Sequence, residues 1–102
     1  MYQIELYLPL YNNDKKAFPT SHYESVKQNL SDKFGGITMY SRTPVIGLWK
    51  ESQESIVKDD LVIYEIISEK LDESFWQEYK FMLQSLFQQE AIIIKSSKIK
   101  LL

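Results

Sequence analysis

The chain opens on strict alternation. Tyr2, Ile4, Leu6, Leu8 and Leu10 are apolar, and Gln3, Glu5, Tyr7 and Pro9 stand between them. A period of two marks a strand with one buried face. Asn12-Asn13-Asp14-Lys15-Lys16 then reads as a loop. From Tyr23 the period changes, and Tyr23, Val26, Leu30 and Phe34 recur at helical spacing. Ser21-His22-Tyr23-Glu24 fits the capping box that opens many helices. Gly35-Gly36 closes this one, because glycine takes the left-handed C′ conformation at little cost.

Ile37 to Tyr40 is rich in strand formers, Arg42-Thr43-Pro44 interrupts, and Val45 to Trp49 resumes. Proline cannot donate to a ladder, so this segment reads as an edge strand with a bulge or bend. Lys50 to Ser55 is a polar connection, and Leu61 to Ile67 is a third strand. Asp72 suits the N-cap of a second helix, with Glu73 near its positive end. Phe75, Trp76, Tyr79, Met82, Leu83, Leu86 and Phe87 give that helix a broad apolar stripe. Ala91 to Lys95 is a final strand, with room to continue or bend through Ile99 to Leu102.

The order is β-α-β-β-α-β, in one domain spanning residues 1–102. Neither helix is stable alone, and right-handed crossovers place both on one side of a sheet. The expected fold is therefore α+β and ferredoxin-like. It has a four-stranded antiparallel sheet in the order 4-1-3-2 with two helices on one face.

Such a sheet has an open face. Gln3, Glu5 and Tyr7 belong there if the leucines of the first strand meet the helices. An isolated buried carboxylate is costly, which assigns Glu65 to the open face, with Leu61, Ile63 and Ile67 beside it. Three aliphatics on an uncovered face of a small domain call for burial. A homodimer paired through the open face is the expected solution. The alternatives are a monomer covered by the loops near residues 11–20 and 50–58, or pairing edge to edge.

Composition narrows the chemistry. Twelve Lys+Arg stand against fourteen Asp+Glu, a net charge of -2, so no nucleic-acid partner is expected. The third strand is acidic and lacks the basic, glycine-containing aromatic motif of RNA-recognition domains. Cysteine is absent, which excludes disulfides and thiolate metal sites, and a single histidine excludes multi-histidine ones. Three glycines cannot supply a phosphate-cradling loop. No metal and no cofactor is expected. No apolar run is long enough to span a bilayer, and the opening residues lack the pattern of a signal peptide. No membrane partner is expected, and the cytoplasm is the expected compartment.

The residues with chemical potential are few. Glu65, Glu5 and Tyr7 are the candidates for proton transfer, since a Glu among aliphatics and tyrosines suits a general acid or base. Tyr40, Arg42 and Trp49 are candidates for ligand binding, Arg42 through a two-pronged grip on an anion. The plainer account is that Arg42 neutralises one Glu and the others are solvated or line an interface. His22 is expected to face solvent, Trp76 to be core, and Lys95, Lys98 and Lys100 to be solvated lysines of an edge strand.

Phe34-Gly35-Gly36-Ile37-Thr38, then Gly47-Leu48-Trp49, then Glu65 in an apolar strand resembles a family of small uncharacterised bacterial α+β proteins. In these a Gly-Ile/Leu-Thr start to the second strand is followed by Gly-x-Trp. The resemblance covers residues 34–67. It implies the fold and carries over no catalytic residue.

The function expected from this reading is a binding or assembly module, with a protein or a small ligand held at the open face. The alternative is a small enzyme of the dimeric α+β barrel type, in which Glu65 or Glu5 moves a proton and Tyr7 or Tyr40 orients a carbonyl or hydroxyl.

Overall fold

The computed structural model describes residues 1–35, 38–45 and 59–102, with the backbone alone for 38–45, 59 and 60. Alternation along the first segment becomes strand β1, Tyr2–Pro9, in which Ile4, Leu6 and Leu8 are fully buried. Helix α1, Thr20–Phe34, buries Val26 and Leu30 and ends on Gly35 at φ +82°. The Gly35 N–H donates to Ser31 O at 2.8 Å, the closing bond of a left-handed cap. Strand β2 is Thr38–Val45 and strand β3 is Asp59–Ser68. Helix α2, Glu73–Leu86, starts on Asp72, whose carboxylate accepts the Phe75 N–H at 3.1 Å. Strand β4 is Ile93–Lys98.

The strands form one antiparallel sheet in the order β2-β3-β1-β4. Along β1 the register with β3 runs from Tyr2 opposite Ser68 to Pro9 opposite Leu61. On its other side Tyr2 stands opposite Lys98 and Tyr7 opposite Ile93. The core unites Ile4, Leu6 and Leu8 of β1 with Val62, Tyr64 and Ile66 of β3, and with the buried residues of both helices. Alternate residues of two adjacent strands thus meet α1 and α2 on the same side. The intervening residues of β1 and β3 form the open face.

Two phenols pin α1 to the sheet. Tyr64 Oη donates to Tyr23 O at 3.1 Å, and Tyr23 Oη donates to Pro9 O. Burial, first, pushes both phenols up to about 12. Phe34 of α1 stacks on Trp76 of α2 at 5.5 Å between centroids, and Lys33 Nζ lies 4.3 Å from the Phe75 ring centre. No helix among the described residues is long and apolar enough to cross a membrane.

The ferredoxin-like expectation is corrected in its elements. It placed a bulge or bend of the second strand at Arg42-Thr43-Pro44. The observed β2 runs unbroken through Pro44, which stands opposite Asp60, and the irregularity is a register shift between Tyr40 and Thr43. An edge strand has one side free of ladder bonds, so a residue without an N–H fits there. Residues 46–49, expected to resume that strand, lie outside the described residues. Strand β3 begins two residues before the expected Leu61, and β4 begins at Ile93 instead of Ala91 and continues past Lys95 to Lys98. The capping box is not used either. Helix α1 begins at Thr20 behind Pro19, with no side-chain cap, and Ser21 and Glu24 are exposed. Phe18 sets the entry instead: its N–H donates to Leu10 O at 3.1 Å and its ring meets Phe87 edge-on at 5.1 Å.

The open face is also less bare than expected. Leu61 is 2% exposed and Ile63 half-buried, so Ile67, at 40%, is the aliphatic of that trio most open to water.

Candidate functional site

Register brings the chemistry-bearing residues of the open face into rows. Glu5 in the middle of β1 stands opposite Glu65 of β3 on one side and Lys95 of β4 on the other. Glu65 in turn stands opposite Thr38 of β2. One row therefore crosses the whole sheet as Lys95, Glu5, Glu65 and Thr38. The next row places Tyr7 between Ile63 and Ile93, with Tyr40 at the register position beyond Ile63. Directly paired residues in an antiparallel sheet hold their side chains on one face, about 5 Å apart at Cβ. Lys95, Glu5 and Glu65 thus make a contiguous strip of charge bordered by Tyr7, Ile63 and Ile93.

Lys95 links the two rows. Its Nζ lies 3.7 Å from Glu5 Oε1 and 5.3 Å from the centre of the Tyr7 ring. Hydrogen bonding to the Tyr7 hydroxyl, first, and then the neighbouring Glu5 charge hold the Lys95 ammonium above the ordinary lysine value. Lys95 is therefore a stable cation at neutral pH and not a free amine nucleophile. Tyr7 is 6% exposed, so its ring is part of the sheet face, while the Lys95 side chain is 54% exposed and that of Glu5 22%. Glu65 is engaged in contacts as well.

Of the residues singled out from sequence, the structure brings Glu5, Glu65 and Tyr7 together. Tyr40 is placed by register at the far end of the second row. Arg42 falls inside the β2 register shift, where no partner position is assigned to it. Trp49 lies outside the described residues. Lys95 was missed, because an edge-strand lysine reads as a solubility device. The signal was available: a period-two count places Lys95 on the same face as Ile93, and β4 beside β1. His22 does not stand free in solvent, since its ring lies 5.9 Å from that of Phe18 and 5.6 Å from that of Phe87.

Along β4 a small cleft of about 120 Å³ is lined by Ile4, Leu71, Glu73, Trp76, Gln77, Ile94, Lys95 and Ser96. It includes neither Glu5 nor Glu65. Among the described residues there is no group of three or more side chains able to hold a metal ion.

No protein-family model and no curated protein matches this chain. Solved structures do. One is a phage SAM lyase in complex with S-methyl-5′-thioadenosine, with a TM-score of 0.63 and 17% identity over 95% of this chain and 80% of that one. Another is CutA1 from Pyrococcus horikoshii OT3, with a TM-score of 0.58 and 15% identity over 100% of this chain and 86% of that one. The likeness is one of fold. It identifies a small α+β architecture that the chain shares with both proteins over most of their lengths.

Proposed function

We propose that the chain is a binding module for a small organic cation, held on the open face by Glu5 and Glu65 beside Tyr7. One observation carries the reading: two carboxylates stand directly opposite each other on adjacent strands, Glu5 against Glu65. Like charges so placed cost stability in a sheet. Breaches of a local rule of this kind concentrate where a protein does its work. The phage SAM lyase has the same fold and is solved with a nucleoside thioether, which makes S-adenosylmethionine, a sulfonium cation, the first probe. Calorimetric titration tests it. Saturable binding is expected, with Glu5→Gln weakening it about tenfold or more as a buried-side charge partner is lost. Absence of binding by S-adenosylmethionine and by S-methyl-5′-thioadenosine alike would remove the nucleoside reading.

A second reading, a small enzyme in which Glu5 or Glu65 moves a proton, is supported by the Lys95 ammonium standing 3.7 Å from Glu5 Oε1 and 5.3 Å from the centre of the Tyr7 ring. Turnover of a bound probe, followed by chromatography, separates this reading from simple binding. The open-face homodimer is supported by Ile67, 40% exposed beside half-buried Ile63. Light scattering after size exclusion decides it, and a monomer at tens of micromolar removes it.

A further inference from the structure

The Lys95 ammonium occupies a position with the chemistry of a cation site. A carboxylate lies on one side, Glu5 Oε1 at 3.7 Å, and an aromatic ring on another, Tyr7 at 5.3 Å from its centre. That combination attracts alkylammonium and sulfonium groups through charge and through the ring quadrupole. The two walls are fixed and the cation is not. Glu5 and Tyr7 belong to the central strand, and Tyr7 is buried. Lys95 sits on an edge strand with more than half of its side chain in water. Its flexible four-carbon stem has free solvent to swing into.

We infer that Lys95 is the resident counter-ion of this position, and that a cationic ligand binds by displacing its ammonium from between Glu5 and Tyr7. The inference rests on the reading above, that the open face takes a cation, and adds how the site stays neutralised when empty. An ion pair as exposed as this one is weak, so displacement costs little. Without displacement the ligand's cation would meet a like charge at the point of entry. The class of ligand follows: a compact sulfonium or ammonium centre on an apolar body that covers Ile63 and Ile67, in contrast to an anion, which would use Lys95 as its anchor.

The test uses tetramethylammonium chloride as the minimal probe, followed on the Tyr7 ring resonances by NMR. Sodium chloride holds ionic strength constant, and tert-butanol serves as a neutral control of similar shape. Lys95→Met should bind the probe about two- to five-fold more tightly than the unaltered chain, the range that an exposed ion pair represents. Lys95→Arg should restore the original affinity, and tert-butanol should discriminate between none of them. Weaker or unchanged binding by Lys95→Met overturns the inference, as does a failure of the probe to move Tyr7 in any variant. If tetramethylammonium behaves as expected but S-adenosylmethionine does not bind, the resident cation stands and the nucleoside reading falls. If S-adenosylmethionine binds and Lys95→Met is indifferent, the reading stands and the resident cation falls.

Discussion

Tyr64 and Tyr79 are both core phenols, 1% and 8% exposed, yet their hydroxyls have opposite fortunes. Tyr64 Oη donates to Tyr23 O at 3.1 Å, whereas Tyr79 Oη is buried without a hydrogen-bond partner among the described residues. Replacing each by Phe keeps the ring and removes one oxygen. For Tyr64→Phe a donor is lost, but the Tyr23 carbonyl keeps its place in the helical ladder of α1. The loss is then that of one neutral hydrogen bond, about 1 kcal/mol. For Tyr79→Phe the removed oxygen had given up water for nothing in return, so the variant should be more stable by about 1 kcal/mol. Urea unfolding of both variants beside the parent reads the difference. With a slope of about 1–3 kcal/mol/M for a chain of this size, the two midpoints should fall about 1 M apart, on either side of the parent, at unchanged slope. If Tyr79→Phe lowers the midpoint as Tyr64→Phe does, the hydroxyl has a partner after all. Asn29 across the helix interface is the side chain to examine, since it bears on the Tyr79 phenol in the sense opposite to burial.

Alkaline pH should probe the same two-phenol pin. Tyr23 and Tyr64 are pushed from the ordinary 10.0 to about 12, mainly by burial, so the folded chain holds these protons more tightly than the unfolded one. Their contribution is complete below pH 10.0 and is lost as pH rises towards about 12. Urea midpoints should therefore fall across that window, less steeply in Tyr64→Phe, and a flat profile would contradict the burial of these phenols. Gly35→Ala should lower stability by about 1 kcal/mol through its backbone, with Gly35→Asn milder. Among the described residues nothing lies within 4 Å of the added Cβ, and the strain comes from φ +82° itself. A thermal melt unchanged by Ala would refute this account of the helix end.

How far the sequence could be read depended on whether a local rule had a competitor. Ile4, Leu6 and Leu8 alternate with polar residues, and no other arrangement buries them together, so β1 and its open-face residues Glu5 and Tyr7 were legible. Asp72 and Gly35 were legible for the same reason, as each meets a backbone need at its own position. The capping box at Ser21 was equally plausible locally, but Phe18 docking on Phe87 sets where α1 enters, and that contact joins residues far apart in the chain. Pro44 pointed to an edge strand with a bulge or bend, whereas the position of the register shift, between Tyr40 and Thr43, is set by pairing with β3. Burial of Leu61 was not visible in a pattern that assigns faces and says nothing of cover. At the site, the two acids could be found by face assignment, and their direct opposition by register alone. Lys95 escaped because it was judged one residue at a time, as a charge on an edge. Its meaning comes from two neighbours on another strand.

The place of β1 in the sheet has a consequence for how the chain assembles. The strand made first is flanked by β3 and by β4, the strand made last. Among the described strands, β2 and β3 are the paired neighbours in sequence, and both partnerships of the central strand close long stretches of sequence. Contacts of such wide separation slow folding, because loop closure precedes its reward. An emerging chain holds β1 as an exposed apolar strand until β3 is made, and its second edge is covered only by β4. Refolding should accordingly be slower than for a helical bundle of equal length, and loss of β4 should leave a central strand turned into an adhesive edge.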